Sequence, residues 1–398
     1  MILVFEMVWT GTVHAPGNSV TIQTIAAAFP DQTVRVFAET THLRELRADT
    51  ALTAHANVEF REIAISPHFR SRPQIVSFRR GMTELAAMRA ALRDVPPAEP
   101  CLIMLISATP TAVFAASSLA RLSRRRIGVQ VGMHGNLNDA IGWRPRNPLA
   151  RAFDLHAALK ARHGGRVRFL VLEDAIRRAL SAHLPGTEAR TDVLPLPVNL
   201  TELPLWRDVP FQTPIRIGLV GQATEAKGIT PFLDLARHFT ASHPGRVSFH
   251  LVGRAVPGDD LSRFAPLADP VSTEHLSRAD FLARLSSLHF VCLPLREGYY
   301  DLSASGALID AITWLKPVIA TPLPIARDLF EQFGEIGYLC GDPASMEAAI
   351  LSMLGDMDAA RYAIQVDALR RVRASRMPDA LAEGYRALVR AGFAGLLP

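Results

Sequence analysis

Residues 290–321 read FVCLPLREGYYDLSASGALIDAITWLKPVIAT, and this stretch decides the fold. The apolar run Phe290–Leu293 has the length of a buried strand. A Gly- and Ser-bearing segment follows as a loop, Ala304–Leu315 has helical periodicity, and Pro317–Ala320 is a second apolar strand. Strand, loop, helix, strand makes a βαβ unit, whose loop falls at the strand's carboxyl end, where open α/β sheets take their ligands. Ser303, Ser305 and Gly306 stand at the helix start. Hydroxyls, a residue without a side chain and the free N–H groups of a helix N-terminus suit a phosphate, although serine is also a favoured plain cap. Asp310 lies further along the helix, either as a ligand-binding acid or as an ordinary solvated residue.

The same alternation extends in both directions. Before this unit the sequence predicts strands at Ile2–Val8, Val34–Phe37, Leu102–Ile106, Ile127–Met133, Val167–Val171 and Val193–Leu196. Helices fall between them at Val20–Phe29, Met82–Leu92 and Thr111–Leu122, the pattern of a doubly wound parallel sheet. The proline-rich Leu194–Pro214 suits neither helix nor strand interior and marks a linker. Beyond it the alternation restarts with Ile215–Val220, the helix Ile229–His238, Val247–Val252 and the helix Arg278–Leu285. Helices then dominate, at Ala344–Leu354, Ala359–Ser375 and Pro378–Ala391. The expected organisation is a Rossmann-like domain over 1–200, a linker at 201–213, a second Rossmann-like domain over 214–376 and a terminal helical segment at 377–398.

Composition narrows the class. Half the residues are hydrophobic (49%) and one in five is charged (20%), as expected for buried parallel strands. No apolar run reaches membrane-spanning length, and the opening MILVFEMVW, interrupted by Glu6, reads as a first strand and not as a signal peptide. Cys101, Cys292 and Cys340 fit no zinc or disulfide spacing, which points to a reducing cytoplasm. Residues 1–200 hold 24 Lys and Arg against 16 Asp and Glu, whereas 201–398 hold 19 against 22. A basic first half suits an anionic lipid surface, such as the cytoplasmic face of an inner membrane, or a phosphate-linked acceptor. Arginine clusters at Arg70, Arg72, Arg79, Arg80 and at Arg121, Arg124, Arg125, Arg126 are where such contact would fall, if they are not simply solvated faces. Few aromatics interleave them, which argues against nucleic acid.

Further site candidates sit at strand ends. In Leu219–Gly228, LVGQATEAKG, Gly221 permits close backbone approach and Lys227 offers a point charge ahead of a helix; it is one of three lysines in the chain. Gln222 lies between them, and Gly253–Arg254 ends the following strand. In the first half, Gly11, Thr12 and His14 follow the first strand, and His134 follows another. A histidine there can bind a hydroxyl or take a proton near neutral pH, with His14, Asp139 and Glu6 as further candidate bases.

The order P-x-x-E-G-x…(E/D)-A-x-x-x-x-x-P-V-I-A-(T/S), from Pro294 to Thr321, resembles the donor site of GT-B glycosyltransferases, especially the nucleotide-sugar family four. The resemblance implies two Rossmann-like domains facing across a cleft, with C-terminal helices crossing back to the N-terminal domain. It implies a UDP- or GDP-sugar donor and no bound metal or other cofactor. Asp310 would hold the ribose, and Lys227, in a segment similar to the family's V-G-R-x-x-x-x-K-G clamp, the diphosphate. The acceptor, a saccharide or lipid-linked saccharide, would meet the first domain. Gln222 stands where that clamp has arginine, with Arg254 or Arg296 as substitutes, and Glu297 to Asp310 is E-x12-D where the family has E-x7-E. Either Glu297 still reaches the sugar, or Ser303–Gly306 take over that region, an S-x-S-G form similar to bacterial exopolysaccharide transferases. Retaining and inverting chemistry both stay open. The resulting expectation is a hexosyltransferase-type enzyme of exopolysaccharide or glycolipid assembly, with a sugar-nucleotide epimerase or a non-catalytic partner subunit as alternatives.

Overall fold

The computed structural model describes residues 1–65, 76–133, 135, 137–201, 209–296, 298, 300–355 and 359–397, the side chain of Asp139 excepted. The chain forms two compact units. One comprises residues 1–201, 302–304 and 376–398, the other residues 202–301 and 305–375.

The first unit is built on seven parallel strands: β1 (Ile2–Glu6), β2 (Val34–Ala38), β3 (Val58–Glu62), β4 (Cys101–Ser107), β5 (Ile127–Gly132), β6 (Val167–Val171) and β7 (Thr191–Val193). They lie in the order β3-β2-β1-β4-β5-β6-β7. Every residue of β1, β4 and β5 is buried, which is why these strands read as unbroken apolar runs. The strand order reverses between β1 and β4, so the crevice for a ligand lies outside their carboxyl ends. Strand β3, VEFRE, escapes the sequence reading because it is a half-exposed edge whose charges mask its alternation. The helix Pro378–Gly392 belongs to this unit and packs on the helix Ala15–Ala28. Tyr385 fixes it there: its ring meets Phe29 edge-on at 6.3 Å, and its hydroxyl donates to Gln130 Oε1 on β5 at 2.6 Å.

The second unit has five parallel strands: β8 (Ile215–Ala223), β9 (Val247–Ala255), β10 (Phe290–Leu293), β11 (Val318–Ala320) and β12 (Gly337–Leu339), in the order β12-β11-β10-β8-β9. Here the reversal lies between β8 and β10. Phe232 and Phe239 pack on Phe249 to fill the core against β9. Two features differ from expectation. Strands β8 and β9 each run three residues further, to Ala223 and Ala255, and the helix Pro324–Phe333 with the three-residue edge strand β12 adds a further unit of the wind.

All three cysteines are buried free thiols, and burial pushes that of Cys101 up to about 12, so it is inert at neutral pH. Among the described residues no helix is long and apolar enough to cross a membrane.

Candidate active site

The β8–β10 reversal gathers most of the sequence candidates of the second unit. Near the end of β8, Gly221 takes φ +96°, and the Nζ of Lys227 donates to the Val220 carbonyl at 3.0 Å. A Cβ at residue 221 would lie 2.2 Å from that Nζ, so the ammonium occupies the space the glycine leaves. On the neighbouring strand Gly253 is in register with Gly221, and a Cβ there would sit 1.9 Å from the Gly221 carbonyl oxygen. Two glycines in register therefore let the strand ends approach by backbone alone. Gln222 is in register with Arg254, whose Nη1 donates to Thr273 O at 3.4 Å.

The loop after β10 locks onto this region. Gly228, at φ +74°, begins the helix Ile229–Ser242, and a Cβ on it would collide with the Pro294 carbonyl at 1.9 Å. Arg296 N donates to Ala226 O at 3.0 Å, and Thr321 Oγ1 donates to Leu295 O at 2.9 Å. The β10 loop leads into the helix Gly306–Thr313, which starts two residues later than the periodicity predicts. Ser305 is its cap: the hydroxyl accepts from Leu308 N at 3.3 Å and the side chain is buried. Gly306 is exposed with nothing within 4 Å of its Cβ position, and among the described residues neither the Gly306 nor the Ala307 amide has an acceptor. An open helix N-terminus with unpaired amides is an anion site by construction. Asp310 lies one turn along and acts on Lys227: burial holds the lysine below its usual pKa, and the Asp310 charge partly restores it. A half-buried cation, a bare helix N-terminus and a nearby carboxylate can together hold a phosphate and a hydroxyl-bearing group.

Not every candidate of this half joins that cluster. Ser303 lies outside the helix and groups with the first unit. Glu297 lies outside the described residues, so neither reading of its role is addressed by the geometry.

In the first unit the β1–β4 reversal is organised by Glu6, which is buried. One carboxylate oxygen accepts from Val8 N at 2.7 Å and Trp9 N at 2.9 Å, the other from Asn18 Nδ2 at 2.9 Å and Ser107 Oγ at 2.7 Å. Burial raises the Glu6 pKa, and the hydrogen bonds from Trp9, Ser107 and Val8 pull the other way. Asn18 Nδ2 also lies 3.0 Å from His42 Nε2, and His42 Nδ1 lies 2.9 Å from Gly11 O. An imidazole protonated on Nδ1 satisfies both bonds. Gly11, at φ +58°, closes the circuit by donating to Thr41 Oγ1 at 2.9 Å. Thr12 and His14 sit on the exposed side of this loop, and the His14 ring stacks on Trp9 at 4.6 Å. Crowding of its inner face, and then the neighbouring His42, lower the His14 pKa.

The sequence singled out Glu6 only as a candidate base, whereas its four donors make it a structural acceptor. Asn18, His42 and Ser107 gave no local signal, since the contacts span up to 101 positions. Asp139 falls in the helix Leu137–Gly142 but its side chain, like the whole of His134, lies outside the described residues. Among the arginines, Arg70 and Arg72 also lie outside them. Arg80 is not available to a surface: it is buried and pairs with Glu84 at 3.0 Å.

Residues 214–356 match the family described as Glycosyl transferases group 1, a segment that holds Lys227, Arg254, Ser305 and Asp310. No curated protein sequence matches the chain. Among solved structures, a glycosyltransferase from Rickettsia africae is similar with a TM-score of 0.67 at 10% identity, covering 99% of this chain and 98% of its own. The lipopolysaccharide outer core galactosyltransferase WaaB is similar with a TM-score of 0.62 at 12% identity, over 98% and 99% of the two chains. A trehalose-6-phosphate protein from E. coli, bound with UDP-2-fluoro glucose, is similar with a TM-score of 0.61 at 11% identity, over 99% of each. The chain thus has the α/β fold of GT-B glycosyltransferases, and residues 214–356 of its second unit match the Glycosyl transferases group 1 family.

Proposed function

We propose that this chain is a glycosyltransferase that moves a sugar from a nucleoside diphosphate sugar to an acceptor hydroxyl. The observation that carries the reading is the union, inside the Glycosyl transferases group 1 segment, of Lys227, the open amides of Gly306 and Ala307, and Asp310. The diphosphate takes the helix N-terminus and the Lys227 ammonium, and Asp310 accepts from ribose hydroxyls. Arg254, in register with Gln222, supplies the second cation from the adjacent strand. Lys227 gives up its bond to Val220 O for the donor, and these positive groups then stabilise the diphosphate as it departs. The E. coli neighbour binds a UDP-sugar analogue, which supports a nucleoside diphosphate sugar as the donor. Residues 1–200 would serve the acceptor, with Gly11, Thr12 and His14 on the loop that Glu6 holds.

The finer reading is a hexosyl transfer in bacterial exopolysaccharide or glycolipid assembly, without a metal, at the cytoplasmic face of a membrane. The membrane contact in this reading is supported by a groove of about 330 Å³ lined by Leu85, Leu92, Leu119 and Leu122 together with Arg89 and Arg93. Leu122 is 83% exposed beside these cations, which suits an anionic lipid surface.

The test is turnover of UDP- and GDP-sugars with saccharide and lipid-linked acceptors, read as free nucleoside diphosphate and new glycoside together. Transfer yields both in equal amounts. Nucleoside diphosphate released with free sugar and no glycoside, or no reaction with any donor, contradicts the proposal.

A further inference from the structure

At the amino-terminal ends of β6 and β7, the opposite end of the first sheet from the Glu6 loop, lies a cavity of about 630 Å³. Two turns form its walls, one at residues 162–166 ahead of β6 and one at 184–187 ahead of β7. Its lining includes Lys160, Arg162 and Arg190 and no Asp or Glu. Glu188 stands on the neighbouring turn but is not part of the lining. Among the described residues none of the three cations makes an ion pair. That is unusual company: like charges gathered in one concavity repel, and a fold ordinarily relieves this with a carboxylate. The same sheet does so one strand position away, where Arg168 binds Asp192 through two hydrogen bonds of 2.8 and 2.7 Å.

The walls are built, not loose. The Arg190 guanidinium donates to the carbonyls of Leu159 and Ala161 at the C-terminal end of the helix Leu155–Lys160 and lies over the Phe169 ring, tying the start of β7 to that helix with no carboxylate partner among the described residues. Burial alone acts on its pKa, downward, with no acid to offset it. His163 is buried between Ser117 Oγ and Ala158 O, at 2.8 Å from each. Thr187, also buried, donates to Leu184 O at 2.8 Å. Between these anchors Gly164, Gly165 and Gly186 adopt positive φ, and nothing lies within 4 Å of their Cβ positions. The surface between the cations is therefore bare backbone opening on free space.

We propose that this cavity is a second anion site, taking a phosphate-bearing small molecule through Lys160, Arg162 and Arg190. Its volume falls in the range of small-molecule sites and exceeds what a single phosphate fills, so a diphosphate or a phosphorylated metabolite is the class that fits. The site is independent of the donor reading, because it lies in the first unit and shares no residue with Lys227 or the helix Gly306–Thr313.

The experiment is titration of the full chain carrying Lys227→Ala with inorganic pyrophosphate by calorimetry at low salt. Lys227→Ala weakens the donor site, so the part of the remaining binding that depends on the cavity's cations reports the second site. Neutralising the two exposed cations, Lys160→Gln with Arg162→Gln, is expected to weaken that binding at least tenfold while the melting temperature stays unchanged. Raising the salt weakens it as well. Absence of binding in the Lys227→Ala chain, or equal affinity after neutralisation, overturns the proposal. A parallel arm uses phosphatidylglycerol vesicles to identify the source of the phosphate. Vesicle binding that pyrophosphate displaces, and that Lys160→Gln with Arg162→Gln removes, assigns a lipid headgroup. Vesicle binding untouched by those substitutions, with pyrophosphate binding lost, assigns a free phosphorylated molecule.

Discussion

The two units use the same parallel fold to hold the loop after their first strand, and they hold it by opposite means. After β1 the loop is fixed by side chains: Glu6 accepts four hydrogen bonds, and Asn18 and His42 extend the circuit to Gly11. After β8 it is fixed by backbone: Gly221 against Gly253, and Gly228 against Pro294, with distances no side chain would tolerate. The consequence lies in what is left over. The first loop turns its polar groups inward on a carboxylate that is already satisfied. The second leaves a lysine whose ammonium bonds a strand carbonyl, beside a helix N-terminus with unpaired amides. A loop held by backbone packing frees its charged side chain for a ligand; a loop held by a buried acid is preorganised but offers no net positive charge.

The largest expected effect of breaking this contrast is on stability. Glu6→Ala strands the amides of Val8 and Trp9 together with Asn18 and Ser107, and should cost about 3 to 5 kcal/mol in urea unfolding. A loss below about 1 kcal/mol would mean that the loop is held by something else. A smaller effect separates charge from shape. Burial raises the Glu6 pKa in the folded state, so the folded chain holds this proton more tightly than the unfolded one. Its contribution is then fully present below the ordinary glutamate value and is lost as pH rises through the raised one. Glu6→Gln keeps an acceptor for Val8 and Trp9 and cannot ionise. Relative to the native chain it should therefore gain stability as pH climbs through that window. A difference that does not change with pH would show that Glu6 ionises without penalty.

Much of this architecture could be read from residue order, for a physical reason. Strands buried on both faces must be continuously apolar, so β1, β4, β5 and β10 announce themselves. Edge strands carry no such constraint, and VEFRE at β3 and GYL at β12 passed unnoticed. In the candidate site, Gly221, Gly253, Ser305 and Gly306 were visible because local geometry favours those residue types at strand ends and a helix cap, and Lys227 and Asp310 because their segments resemble the donor site of a known family. The Glu6 circuit was not visible, since its members come from four separate segments and each is an ordinary polar residue by itself. Arg254 opposite Gln222 required the register of two strands that extend beyond their apolar cores.

The central claim is that the backbone-held loop of the second unit binds the diphosphate of a nucleotide through Lys227. The most direct measurement is the thermal shift produced by UDP and GDP on the native chain and on Lys227→Ala. A ligand at a hundred times its dissociation constant stabilises the folded state by about 2.7 kcal/mol, enough to move the transition by several degrees. The account predicts a shift with one of the two nucleotides and its loss, by at least half, in the variant. Equal shifts in both chains, or no shift with either nucleotide, would contradict it.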